Sequence, residues 1–155
     1  MINNDVLRAI RYMLDLSDNM VVDLVRLADP DATLDKADVQ ALLKKPEEPG
    51  FVACDDRLLV QFLDGLVTHY RGPSPVARAP EKRITNNIVL KKLRVAFSLN
   101  DVDMHQAFAD AGFPVSKPEL TALFRQPDHK NYRRCGDQLL RNFLKGLTIR
   151  VRGGE

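Results

Sequence analysis

The chain has 155 residues, 45% of them hydrophobic and 28% charged, which allows one ordinary domain or two very small ones and is too apolar for a disordered chain. No apolar run approaches bilayer-spanning length, and Asp5, Arg8 and Arg11 interrupt the N-terminal apolar pattern as a secretory signal would not, so a cytoplasmic setting with no membrane contact is expected. The formal charge of +2 conceals a split: residues 1–81 carry 9 Lys/Arg against 14 Asp/Glu, and residues 82–155 carry 14 against 7.

Val6, Leu7, Ile10, Met13 and Leu14 recur at helical spacing and predict a first helix over about residues 4–16. A second helix is expected over about 18–28, and a third from Asp35. A polar loop containing Pro46 leads to the stretch CDDRLLVQFLDGL, Cys54 to Leu66. Its Leu58, Leu59, Phe62, Leu63 and Leu66 make one wide apolar face, which marks a core helix. Asp56 falls in the first turn, where a carboxylate suits the free N–H groups. Gly65 costs such a helix about 1 kcal/mol, which points to another helix crossing closely there.

After the Pro-rich stretch GPSPVARAPEKR the chain repeats itself. Residues 86–101 match 3–18 at 7 of 16 positions, and 115–153 match 34–72 at 14 of 39. Val89, Leu90, Leu93 and Phe97 restate the first helix, and residues 101–111 the second, with Gly112 as its stop. Ser116-Lys-Pro-Glu119 is a capping box that opens the third. Leu139, Leu140, Phe143, Leu144, Gly146 and Leu147 restate the core helix. The expected architecture is all-α, two tandem four-helix repeats: an acidic one over 1–72, a linker over 73–85 and a basic one over 86–155.

The stretches NNDVLRAIRYMLDLSD, CGDQLLRNFLKGL and FPVSKPELTALFRQPDHKNYR resemble the YehS-like family of small bacterial proteins. The resemblance covers almost the whole chain. It implies a functionally uncharacterised domain occurring in two copies, in a bacterial cytoplasmic protein, and it supplies no catalytic residues.

The chemistry-bearing residues argue against catalysis. Cys54 and Cys135 occupy matching places at helix starts, where a thiolate can be stabilised, yet no His accompanies both. The alternative is a small buried residue beneath the helix entry, and it is the favoured one. His69, His105 and His129 are scattered and suggest no metal site. Asp18/Asp101 and Asp56/Asp137 read as helix starts rather than an acid–base pair. No phosphate loop or nucleophile elbow is present, so no cofactor is expected and an enzyme is the less favoured reading.

The basic repeat carries the strongest functional pattern. Arg141, Lys145, Thr148 and Arg152 form a stripe opposite the apolar face of its last helix, where the acidic repeat has Val60, Asp64, Val67 and Arg71. The loop before it, His129-Lys130-Asn131-Tyr132-Arg133-Arg134, sets an aromatic ring among cations. Lys91, Lys92 and Arg94 add charge on the first helix of that repeat. Cations for phosphates and a ring for a base suit DNA or RNA, with Lys130, Tyr132, Arg133, Arg134, Arg141, Lys145 and Arg152 as candidate contacts. The acidic repeat would contact protein, and a protein adaptor or self-assembling module is the rival reading. The helix order is also similar to a repressor-type helix-turn-helix, with Lys117, Thr121 and Arg125 outward on the reading helix. Phe113-Pro114 in its turn and the negative charge of Glu119 depart from that pattern.

Overall fold

The computed structural model describes residues 1–73, 81 and 83–153. Among the described residues it contains eight helices and no strand: α1 Asn3–Leu14, α2 Asp18–Ala28, α3 Lys36–Leu43, α4 Asp56–Arg71, α5 Asn86–Ala96, α6 Asp101–Asp110, α7 Lys117–Leu123 and α8 Asp137–Arg152. The protein is all-α and built of two tandem four-helix repeats. It divides into two compact units, 1–84 and 85–155. Most of the linker expected over 73–85 (residues 74–80 and 82) lies outside the described residues.

Local chemistry fixes the helix starts. Ser17, Asp35, Asp55, Thr85, Asn100 and Ser116 each accept a bond from a backbone N–H of the first turn. Asp35 and Ser116 are therefore caps, and their helices begin one residue later. The Ser116/Glu119 capping box forms in both directions, each bond 3.2 Å. The first helix is shorter than its apolar pattern suggests. The chain turns left-handed at Asp15 (φ 53°), and its counterpart Ser98 does the same (φ 55°).

In the first unit α4 is the central helix: α2 packs along it, α3 lies against α2, and α1 touches α3 and α4. The second unit repeats this, with α6 on α8, α7 on α6 and α5 on α8. Leu59, Phe62, Leu63 and Leu66 are buried, as are Leu139, Leu140, Phe143, Leu144 and Leu147. The two glycines are the contact points. A Cβ on Gly65 would sit 1.8 Å from the Leu24 carbonyl oxygen, and one on Gly146 would sit 1.7 Å from that of Ala107. Only glycine lets these backbones meet.

A buried asparagine ties each unit together. The Asn4 amide donates to the Leu42 and Val52 carbonyls, both at 2.9 Å, while its oxygen accepts from Cys54 N–H at 2.9 Å. Asn87 does the same with Leu123, Arg133 and Cys135. Next to them, Asn3 and Asn86 donate to the first-turn carboxylates Asp56 and Asp137. These staples fix the loop before the last helix of each unit.

Candidate nucleic-acid interface

The candidate residues sit on two adjoining segments of the second unit, the loop 124–136 and helix α8. At about 100° per residue, Arg141, Lys145, Thr148 and Arg152 fall within a stripe about 60° wide, and Arg141 to Arg152 spans about 16 Å along the axis. Arg141 and Lys145 are exposed; Thr148 and Arg152 are half-buried, and the Thr148 hydroxyl donates to the Leu144 carbonyl at 2.7 Å. Asp137, one turn before Arg141, has its carboxyl held below the ordinary range, chiefly by the Asn86 amide at 2.9 Å; Arg141 contributes the least of the causes.

The loop is anchored rather than loose. His129 N–H donates to Gln126 O, Tyr132 N–H to His129 O, and Arg133 N–H to Ala122 O. The Arg133 carbonyl accepts from Asn87. With the backbone so held, Lys130 and Arg134 project into solvent, and Tyr132 is half-buried. Lys130, Arg134 and Lys145 form no ion pair with a described residue. Arg133 differs: its guanidinium pairs with Glu119 at 2.5 Å. Glu119 is held low by the Ser116 N–H first and by Arg133 second, so the unfavourable negative charge on α7 is neutralised in place.

Of the first-helix cations, Lys91 is exposed, whereas Arg94 is engaged by the fold. It pairs with Asp101 at 2.7 Å, donates to the Leu99 carbonyl and lies 4.7 Å over the Phe124 ring. Lys117 and Thr121 are exposed on α7, a helix of only two turns; it ends at Leu123, so Arg125, also exposed, lies in the loop beyond it and not on the expected reading helix.

The matching places in the first unit are Pro49, Ala53, Val60 and Asp64 for Lys130, Arg134, Arg141 and Lys145. One of them corrects the sequence reading: Val60 is not on an outer face but 2% exposed. Asp56, one turn earlier, accepts from the Ile84 N–H at 3.2 Å, so the chain at Ile84 lies beside this face of α4.

The cysteines are buried and unpaired, one residue before each helix cap. Burial pushes the Cys54 thiol up to about 12, with Asp55 and Asp56 adding to the effect, and pushes Cys135 up to about 11. The helix-start position therefore does not yield a thiolate; desolvation outweighs the dipole. Among the described residues no group of three or more His, Cys, Asp or Glu is placed to hold a metal ion, and no helix is long and apolar enough to cross a membrane.

Sequence inspection passed over the asparagine staples. Their signal was present: the doublet Asn3-Asn4 recurs unchanged as Asn86-Asn87 at the edge of an apolar helix face.

Comparison with known proteins agrees with the duplication. No solved structure matches. The chain is 47% identical over 152 residues to the "Uncharacterized protein YehS" of Escherichia coli (strain K12), covering 97% of this chain and 96% of that protein. The model of the family described as "Protein of unknown function (DUF1456)" matches twice, over residues 3–72 and 86–153, so the chain belongs to this family and carries two copies of its domain.

Proposed function

We propose that the protein is a non-enzymatic, cytoplasmic binding protein whose basic C-terminal repeat contacts DNA or RNA and whose acidic N-terminal repeat contacts protein. One observation carries the reading. Lys130 and Arg134 are exposed cations where the sister repeat, equally exposed, has Pro49 and Ala53. Packing does not ask for that difference; a polyanion does. Tyr132 would supply stacking, Arg152 would extend the stripe, and Arg133 would act mainly by neutralising Glu119.

The test is binding to short single-stranded and duplex oligonucleotides across a salt series, with Arg141→Ala/Lys145→Ala as the main variant. Binding weakens about equally for all sequences, and each lost phosphate contact shallows the log K against log salt slope by about 0.7–0.9. Tyr132→Ala costs roughly 1–3 kcal/mol for a single strand and little for a duplex. An intact chain with no affinity at low salt removes the reading.

The protein-adaptor reading would then stand, and one feature favours it. Met20 and Leu27 on α2 are 51% and 48% exposed, and seven residues apart they share a helix face.

A further inference from the structure

The loop between α7 and α8 holds a second, separate feature. His129 Nδ1 accepts from the Asn131 N–H at 2.9 Å, and its Nε2 lies 3.2 Å from Arg125 Nη1. Both neighbours are donors. A backbone N–H cannot accept, and a guanidinium carries no acceptor. A neutral imidazole has only one acceptor nitrogen. With Nδ1 taken by the loop, the ring proton sits on Nε2 and meets the Arg125 N–H groups donor to donor. The other neutral tautomer, protonated on Nδ1, would accept from Arg125 but meet the Asn131 N–H donor to donor, so neither satisfies both neighbours.

Two neighbouring donors 3.2 Å apart lack one thing, an acceptor that both can reach. They border an open groove of about 600 Å³ lined by Phe124, Arg125, Gln126, Asp128 and His129. The Phe124 ring is held there by Arg94. Arg125 makes no ion pair with a described residue.

The first repeat shows that the shared fold does not require this. At the matching positions Lys44 donates to the Pro49 carbonyl at 2.7 Å, and the Glu48 carboxylate accepts from the Lys45 N–H at 3.0 Å. There each group is satisfied internally. The second repeat replaces that closed arrangement with two donors facing a groove.

We infer that Arg125 and His129 form a seat for a phosphate oxyanion, which accepts from the guanidinium and from imidazole Nε2–H together. The phosphate belongs either to a polynucleotide backbone or to a small phosphorylated molecule. Asp128 opposes the anion and lowers the affinity of the site. The seat stands on its own geometry, whether or not the cations of α8 bind nucleic acid.

The test is imidazole nitrogen NMR of the full chain, at a pH above the range where a free imidazole protonates and at ionic strength fixed with chloride. First, the free protein shows His129 protonated at Nε2; an Nδ1-protonated ring overturns the inference. Inorganic phosphate and a short single-stranded oligonucleotide are then titrated separately. A saturable shift at His129, with His69 and His105 unmoved, is expected with at least one of them. Phosphate alone identifies a small-molecule source, and the oligonucleotide alone or more tightly identifies a backbone. Arg125→Gln weakens the response about tenfold or more, and Asp128→Asn strengthens it. No His129 shift with either probe, or an equal shift in Arg125→Gln, overturns the inference. Amide spectra of each variant establish that the fold is kept.

Discussion

Replacing Gly146 by Ala tests the packing that positions α8. In an exposed helix the change would add about 1 kcal/mol of stability, because Ala is the better helix former. Here the new Cβ would lie 1.7 Å from the Ala107 carbonyl oxygen. That oxygen belongs to the α6 backbone and cannot swing aside as a side chain could. The helices must part by about 1.5 Å to restore ordinary contact, and a radial gap of even 0.5–1 Å forfeits about a quarter to a half of each dispersion well along the seam. The Phe108 and Phe143 rings, 5.4 Å between centroids, are buried on these two helices and lose contact with them. Overpacking of this kind outweighs the propensity gain, and a net loss of about 3 kcal/mol is expected. For a unit of roughly 70 residues that lowers Tm by more than about 10 °C. Thermal and urea unfolding followed by circular dichroism measures it, and Gly65→Ala, 1.8 Å from the Leu24 carbonyl oxygen, should behave alike. Gly136→Ala is the control: with nothing within 4 Å of its Cβ, it should change stability by less than about 1 kcal/mol. A Gly146→Ala protein as stable as the parent would refute the close crossing.

Asn87→Ala strands the Cys135 N–H and the Leu123 and Arg133 carbonyls, so it should cost at least about 3 kcal/mol in urea unfolding, and Asn4→Ala should cost the same. With thiols raised to about 12 and 11, Cys54 and Cys135 should resist alkylation at mildly alkaline pH in the native protein and react at once in denaturant; rapid native labelling would contradict their burial. The Asp137 and Glu119 carboxyls are depressed by Asn86 and Ser116 respectively, so the stability they confer is full above their unfolded pKa values and is lost as pH falls through the lower folded ones. Asn86→Ala should therefore shrink the acid-side loss of stability, and an unchanged pH profile would refute the assignment.

The architecture was legible because the periodicity is strong and written twice. Leu139, Leu140, Phe143, Leu144 and Leu147 are all buried as their spacing requires, and the two interior glycines announced a helix crossing by their cost alone. The end of α1 was not legible. Asp15 and Ser98 take a left-handed conformation that glycine usually marks, and neither residue type signals it. The asparagine staples left a trace only in the recurrence of Asn3-Asn4 as Asn86-Asn87, because a buried amide satisfied by backbone groups from distant segments does not show what it bonds to. At the candidate site, residue type identified the cations but not their engagement. Arg94 and Arg133 read as free charge in the sequence and prove to be paired with Asp101 and Glu119.

The duplication works as an internal control only where a position has the same surroundings in both repeats. Arg141 and Val60 fail that condition, since one is exposed and the other buried, so their difference in residue type follows partly from burial. Lys130 and Pro49 meet it, as do Arg134 and Ala53: all four are exposed, on loops anchored by the equivalent asparagines Asn87 and Asn4. There the fold places equal demands on both repeats, yet the second repeat has cations. The Arg125/His129 pair differs as well, although Lys44 is half-buried where Arg125 is exposed: Lys44 and Glu48 have their own groups satisfied by the backbone. Two divergences at equally exposed positions, with the Arg125/His129 pair beside them, therefore fall on one loop, between the end of α7 and the start of α8. The candidate polyanion contacts centre on that loop, with the α8 stripe extending them.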